Sequence, residues 1–282
     1  SAIAPGFDLD EERRGEGELG IGWESDDAWT PETNFRLYLS GGEGLVEGHQ
    51  DGEVAGRPWP SWVGDLERGR SVARLLRRLD DAMLDLGLPD IGLTTLTEVA
   101  GRGQQIARMT DLPTIIDADT GFGEPMSAAR TVAVLEDAGL AGCHLEDQVN
   151  PKRCGHLDGK EVVGVREMVR RLGAAVTARR DENFVICART DARGVEGLDA
   201  AISRAKDYAA AGADLIFTEA LADLDEFKRF RDEVDAPLLA NMTEFGKSDL
   251  FTADEFRAIG YNVVIYPVTT LRLAMGAVES GL

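Results

Sequence analysis

The sequence predicts an α/β protein, a (β/α)8 TIM-type barrel with an atypical and partly disordered N-terminal region, and three observations carry that prediction. From about residue 86 onward, short apolar runs alternate with stretches of helical periodicity, the pattern of repeated βα units on a parallel sheet. Gly139, Gly212 and Gly260 each stand a few residues before the next apolar run, where a left-handed residue closing a helix belongs. The apolar runs end in acidic, basic and amide side chains, and in a parallel barrel functional groups collect at the C-terminal ends of the strands.

Taken in order, the strand candidates are 114–119, 142–147, 184–190, 215–220, 238–242 and 262–267. All are rich in Val, Ile, Leu or Phe, as strands buried on both faces require. Between the third and fourth, residues 201–211 place Ile202, Ala205, Tyr208 and Ala209 at helical spacing. An eight-stranded barrel needs two more strands upstream, for which 35–40 and 2–7 are the candidates. Residues 8–34 are acidic, Gly-rich and without periodicity, the composition of a loop. Residues 43–84 form a basic island, with six arginines between residues 57 and 79 facing only Asp65 and Glu67, beside Trp59 and Trp62. An inserted amphipathic helix over 66–79 is expected there. The chain thus divides into an atypical N-terminal region, 1–84, holding the first barrel strands with an insertion or disorder, and the main part of one barrel domain, 85–282.

The 282 residues, 43% hydrophobic, suffice for a sizeable core. No run of eighteen apolar residues appears and the N-terminus is acidic, so neither a membrane span nor a secretory signal is expected and the cytoplasm is the expected compartment. A net charge of -21 argues against nucleic-acid and anionic-membrane partners. Of 30 basic residues only five are lysine, and an acidic, lysine-poor surface suits concentrated salt, which screens self-repulsion; a halophilic source is expected. The three cysteines are odd in number and widely spaced, so no disulfide framework is expected. Cys143 and Cys187 sit in apolar runs as small buried hydrophobes.

Cys154 differs, standing among Lys152, Arg153 and His156 with Gly155 allowing the backbone close to a ligand. Cationic neighbours lower a cysteine pKa, and an acid/base role follows. A thiolate-imidazole zinc site and a Cys/His nucleophile are the other readings, without a second ligand pair at structural-zinc spacing. Asp117-Ala118-Asp119 presents two carboxylates on one face of a strand end, and Glu146-Asp147 ends the next strand. An all-oxygen cluster of Asp117, Asp119 and Glu146 suits a hard divalent cation, Mg²⁺ first, against the alternative of salt bridges to Arg189 and Lys152. His144 should face the interior as a satisfied histidine, and Gly121-Phe122-Gly123 reads as a tight loop.

Six motifs in order then resemble the isocitrate lyase and phosphoenolpyruvate mutase superfamily. They are Gly87-Leu-Pro-Asp90-Ile-Gly, Asp117-Ala-Asp119-Thr-Gly-Phe-Gly, His144-Leu-Glu146-Asp-Gln, Lys152-Arg-Cys154-Gly-His156, Ala188-Arg189-Thr-Asp191-Ala and Asn241-Met-Thr243-Glu244-Phe-Gly. The resemblance runs from about residue 86 to the C-terminus, and Lys-Arg-Cys-Gly-His is similar to the 2-methylisocitrate lyase branch. It implies a carbon-carbon lyase that cleaves 2-methylisocitrate to pyruvate and succinate. The alternatives are another 2-hydroxy-acid lyase acting on isocitrate or dimethylmalate, a carboxyphosphonoenolpyruvate mutase-like enzyme, and a non-catalytic dicarboxylate-binding paralogue.

The same resemblance implies Mg²⁺, with Mn²⁺ as the substitute, held by Asp119 directly and by Asp117, Glu146 and Asp90 through water. Cys154 would protonate the enediolate left by bond cleavage and Arg189 would grip a substrate carboxylate, with Lys152 and His156 as further catalytic residues. Ser40, Gly41 and Gly42 would bind the keto-acid end, and Arg153, Gly155, Glu219, Asn241 and Thr243 would line the rest of the pocket. Two departures stand out. The basic island separates Tyr38 from Asp90, through either an insertion or a shifted reading frame. One helix follows the last strand where the family adds helices exchanged between subunits, so a homo-oligomer smaller than the usual tetramer is expected.

Overall fold

The computed structural model of this chain describes residues 53–54, 57–58, 89–157 and 159–282. The candidate strands 2–7 and 35–40, Ser40, Gly41, Gly42 and the candidate helix 66–79 lie outside the described residues. Within the basic island, β1 (Glu53–Val54) and β2 (Arg57–Pro58) form a short antiparallel pair.

All six downstream strand candidates are strands, and they form one parallel sheet in chain order. They are β3 (Ile115–Asp117), β4 (Gly142–Glu146), β5 (Val185–Thr190), β6 (Leu215–Thr218), β7 (Leu238–Asn241) and β8 (Val263–Ile265). Each is shorter than its apolar run by one to three residues; all but β5, which loses only its first residue, lose residues at the C-terminal end. At Asp119 the backbone is left-handed, φ 47°, although Glu146 N–H still donates to its carbonyl at 2.8 Å. Among the described residues seven α-helices precede, connect or follow these strands: α1 (Leu96–Ala107), α2 (Pro125–Asp137), α3 (Val165–Ala178), α4 (Leu198–Ala210), α5 (Leu224–Glu233), α6 (Ala253–Ile259) and α7 (Thr269–Gly281). Reciprocal side-chain to backbone caps open α1 (Thr95 with Glu98) and α6 (Thr252 with Glu255), and Pro125 opens α2. Gly139, Gly212 and Gly260 have φ of 82°, 102° and 87°, as the stop signals predict.

The sheet is curled. Inward-facing Ile115, Val185, Cys187, Leu215, Phe217, Leu239 and Ile265 form one buried cluster reaching from β3 to β8, which a flat sheet could not bring together. The opposite face carries the larger core, in which Ile116, Leu145, Ile186, Ile216 and Ala240 pack against Val132, Leu172, Ile202, Tyr208 and Phe227 of the helices. The described residues are therefore a curled parallel α/β half-barrel with helices outside. Alternation with period two sends Asp117, His144, Glu146, Arg189 and Asn241 inward. Register sets His144 beside Asp117 and Cys187, and Glu146 beside Arg189. No helix among the described residues is long and apolar enough to cross a membrane.

Candidate active site

The inward residues at the C-terminal ends of β3 to β7 make a polar mouth above the apolar inner cluster. Asp119 Oδ1 lies 2.7 Å from Lys152 Nζ, which also contacts Asp90, and Asp119 N–H donates to Asp117 Oδ1 at 2.9 Å. His144 is fully buried, its Nδ1 3.5 Å from Asp117 and its ring edge-on to Phe217, so it is the interior histidine expected. Glu146 is also fully buried, yet among the described residues neither carboxylate oxygen has a hydrogen-bond partner; Arg189 Nε is 3.4 Å away.

Four carboxylates thus crowd one buried ammonium. Burial and Asp117 push Asp119 up to about 7 although Lys152 opposes the shift, and burial holds Glu146 well above the usual carboxylate range. Burial disfavours the charge on Lys152, but Glu146, Asp117, Asp119 and Asp90 together outweigh it and keep the lysine ionised. Among the described residues no three His, Cys, Asp or Glu side chains converge as a ligand group; the salt-bridged arrangement weighed from the sequence is the one present. The all-oxygen donors, the excess of negative charge and the unpartnered Glu146 oxygens nonetheless fit a hard divalent cation.

A strap after β4 carries Cys154 across this mouth. Its base is pinned by Val149 N–H to the Glu161 carbonyl at 2.8 Å and by Gln148 paired with Val162. Gln148 folds the ascending arm by exchanging two bonds with the Arg153 main chain, at 2.8 and 2.9 Å. Gly155 lands on the floor of the mouth, where an added Cβ would stand 2.5 Å from both Arg189 Nη2 and Glu219 Cγ; no other residue fits that seat.

His156 Nε2 is 2.9 Å from Glu219 Oε1, and its Nδ1 accepts the Lys247 backbone N–H at 2.9 Å. An Nδ1 that accepts cannot carry a proton, so the ring is the neutral Nε2–H tautomer donating to Glu219. Asn241 Nδ2 stands 3.3 Å from both Glu219 oxygens.

The expectation that cationic neighbours lower the Cys154 pKa is corrected by this geometry. Burial pushes the thiol up, and Asp90 and Glu219 reinforce it against the His156 backbone N–H and Arg189. Lys152 is turned to the carboxylates, His156 is neutral, and the Arg153 side chain is exposed, lying beside Gly159 rather than in the mouth. Cys154 is therefore a protonated thiol, partly buried, whereas Cys143 and Cys187 are buried in the walls as expected.

Arg189 is not free to swing toward a ligand. Its Nε and Nη2 make a two-pronged contact with Asp191 at 2.9 and 3.2 Å, and Nη1 is 3.4 Å from Glu219. Asp191 is held below the usual carboxylate range because Arg189 and Lys160 outweigh its burial. Its backbone N–H donates to Asp147 Oδ1 at 2.9 Å, and Thr190 and Tyr208 hydroxyls both donate to Asp147 Oδ2 at 2.8 Å. Thr243 sits in the turn after β7, its carbonyl accepting from Gly246 N–H.

Sequence reasoning missed Asp147, Asp191 and Lys160 as parts of the site. Asp147 and Asp191 stand within the strand-end motifs quoted above, whereas nothing in the sequence singles out Lys160, whose burial at the mouth only the fold shows.

A curled parallel sheet with acidic strand ends and a thiol-bearing strap beside them defines an α/β half-barrel with a polar, largely buried mouth. The family described as phosphoenolpyruvate phosphomutase matches residues 82–282, and the chain belongs to it, within the isocitrate lyase and phosphoenolpyruvate mutase superfamily. A probable 2-methylisocitrate lyase of Corynebacterium glutamicum is 74% identical over 198 residues, covering 70% of this chain and 64% of that protein. The chain thus spans somewhat less than two thirds of that relative's length. The crystal structure of 2,3-dimethylmalate lyase superposes with a TM-score of 0.68 at 35% identity, covering 71% of this chain and 68% of the other. Phosphonopyruvate hydrolase, solved with oxalate and Mg²⁺, gives 0.62 at 28% identity, covering 70% and 69%.

Proposed function

We propose that this chain is a Mg²⁺-dependent carbon-carbon lyase that cleaves 2-methylisocitrate to pyruvate and succinate. The single observation that carries the reading is a partly buried cysteine, Cys154, on a strap whose Lys152 pairs with buried Asp119 and whose Gly155 is seated against Arg189 and Glu219. The 74% identity to a probable 2-methylisocitrate lyase supports that substrate among the small 2-hydroxy acids.

Asp119, Asp117, Glu146 and Asp90 would hold the cation, whose chemistry is to neutralise charge on the substrate's hydroxyl and carboxylate oxygens. The chain's own groups do the rest. When the bond between the two halves breaks, the substrate's hydroxyl becomes the pyruvate carbonyl and gives its proton to a carboxylate of the cluster, while the electron pair leaves on the succinate carbon, which takes a proton from Cys154 Sγ and leaves a thiolate. A thiol with a raised pKa arrives protonated at neutral pH, which a thiolate would not. Glu219, Asn241 and the neutral His156 form one hydrogen-bonded wall that fixes the strap, and Arg189, anchored by Asp191, places positive charge against Glu146 and Glu219. Lys152 balances the carboxylates. The seat of Gly155 excludes water from beneath the thiol.

The half-barrel closes into eight strands through upstream segments, and residues 85–282 carry the main part of that single domain. Ser40, Gly41 and Gly42 belong to the keto-acid end in this reading. The protein works as a homo-oligomer in the cytoplasm.

Incubation with 2-methylisocitrate, isocitrate, 2,3-dimethylmalate and phosphonopyruvate in turn tests the substrate. Equimolar pyruvate and succinate from the first, abolished by EDTA and restored by Mg²⁺, is the expected result. Turnover confined to one of the other three would replace the substrate while keeping the family.

A further inference from the structure

We infer that Lys160 is a positioning residue that latches the Cys154 strap over the mouth, a reading that deepens the proposed lyase and rests on it for the chemistry. Lys160 lies on the returning arm of the strap, its side chain 3% exposed. Its ammonium donates to the Gly155 carbonyl and, at 2.9 Å, to Asp191 Oδ1. One cation therefore ties the residue next to Cys154 to the carboxylate that also clamps Arg189.

Gly155 has no side chain, so its carbonyl is the handle by which this tip can be held, and its seat against Arg189 and Glu219 admits no Cβ. The strap tip is thus fixed from below by contact and from the side by charge. Asp191 cannot follow a moving strap: its amide is bonded to Asp147, which Thr190 and Tyr208 anchor to the wall. Releasing Lys160 loosens the strap tip at Gly155, which His156 and Lys152 still tether on either side, while leaving Arg189 and the acidic cluster in place. The ammonium touches neither the acidic cluster nor the thiol; it acts through Gly155.

The test is alkylation of the full chain with iodoacetamide, followed by intact mass, because Cys143 and Cys187 are buried and a single adduct reports Cys154 alone. Lys160→Met should add one adduct about tenfold or more faster than wild type, the factor that loss of one charge-assisted hydrogen bond supports. Lys228→Met, at an exposed surface pair, should alkylate at the wild-type rate. Lys160→Gln, which keeps a donor without the charge, should fall between and serves if the Met variant does not fold. With 2-methylisocitrate, kcat should fall more than KM changes. A second and third adduct would signal general loosening and overturn the latch, as would a folded Lys160 variant alkylating at the wild-type rate. Alkylation needs no substrate, so a chain without lyase activity whose Lys160→Met variant still alkylates faster would sink the proposed reaction and leave the latch standing.

Discussion

Two residues with the same kind of neighbour behave in opposite ways at this mouth. Asp191 and Glu146 both face Arg189, yet Asp191 is held low by two close cations while Glu146, with one cation at 3.4 Å and no hydrogen bond, is pushed up by burial. Asp119 at about 7 and Asp147 at about 6 also titrate above the unfolded carboxylate value of about 4. A carboxylate raised on folding binds its proton in the folded chain first. The stability it contributes is complete below the unfolded pKa and lost as pH rises through the folded one.

The melting temperature of the metal-free protein should therefore rise on acidification from pH 8 to pH 5.5, and Mg²⁺ should flatten that rise by holding Asp119 ionised. A metal-free melting temperature that falls over this range would contradict the raised values. Asp191, shifted down, acts only below this window. For Cys154 the sign is equally definite: the wild-type alkylation rate should climb with pH to an inflection above that of a free thiol, about 8.5. An inflection near 7 would restore the activated thiolate that basic neighbours suggest in the sequence. That suggestion failed because a list of neighbours does not say where they point: Lys152 turns to Asp119, and Arg153 turns outward.

The elements were more legible than the contacts. Apolar runs and glycine stops gave all six strands of the sheet, because burial on both faces leaves a continuous hydrophobic signal and a left-handed φ leaves a glycine. The strap had no such signal. Its shape depends on Gln148 bonding the Arg153 main chain and on Lys160 reaching Gly155, contacts whose partners the sequence does not pair. Gly155 is the element's sharpest constraint. Gly155→Ala should lift the strap and lower kcat on the order of 10²-fold with little change in melting temperature, since a displacement of about 1 Å can cost that much. Unchanged kcat would mean that the strap does not sit on Arg189 during turnover. In β4, by contrast, Gly142→Ala puts a Cβ 2.6 Å from the Val185 carbonyl oxygen, a backbone atom that cannot step aside. Chemical denaturation should show a loss of about 1–3 kcal/mol, the range for an overpacked core.

At the scale of the whole molecule, β3 and β8 are the two edge strands of the described six-stranded sheet, and the family match begins only at residue 82. The candidate strands 2–7 and 35–40 fall before that point and outside the described residues, so the expectation of eight strands rests on short apolar runs alone. Net charge is a property of the entire chain, and -21 predicts mutual repulsion that salt screens. Melting temperature should rise steeply between 0.1 and about 2 M KCl; a flat profile would remove the halophilic reading.

The proposed lyase needs one arrangement, a proton-donating thiol set over a carboxylate-held cation. Steady-state pyruvate release from 2-methylisocitrate by wild type and Cys154→Ser, with Mg²⁺ binding measured by calorimetry on both, tests it most directly. The account predicts unchanged Mg²⁺ affinity and a kcat reduced on the order of 10²- to 10⁴-fold. Near wild-type turnover by the serine variant would contradict it.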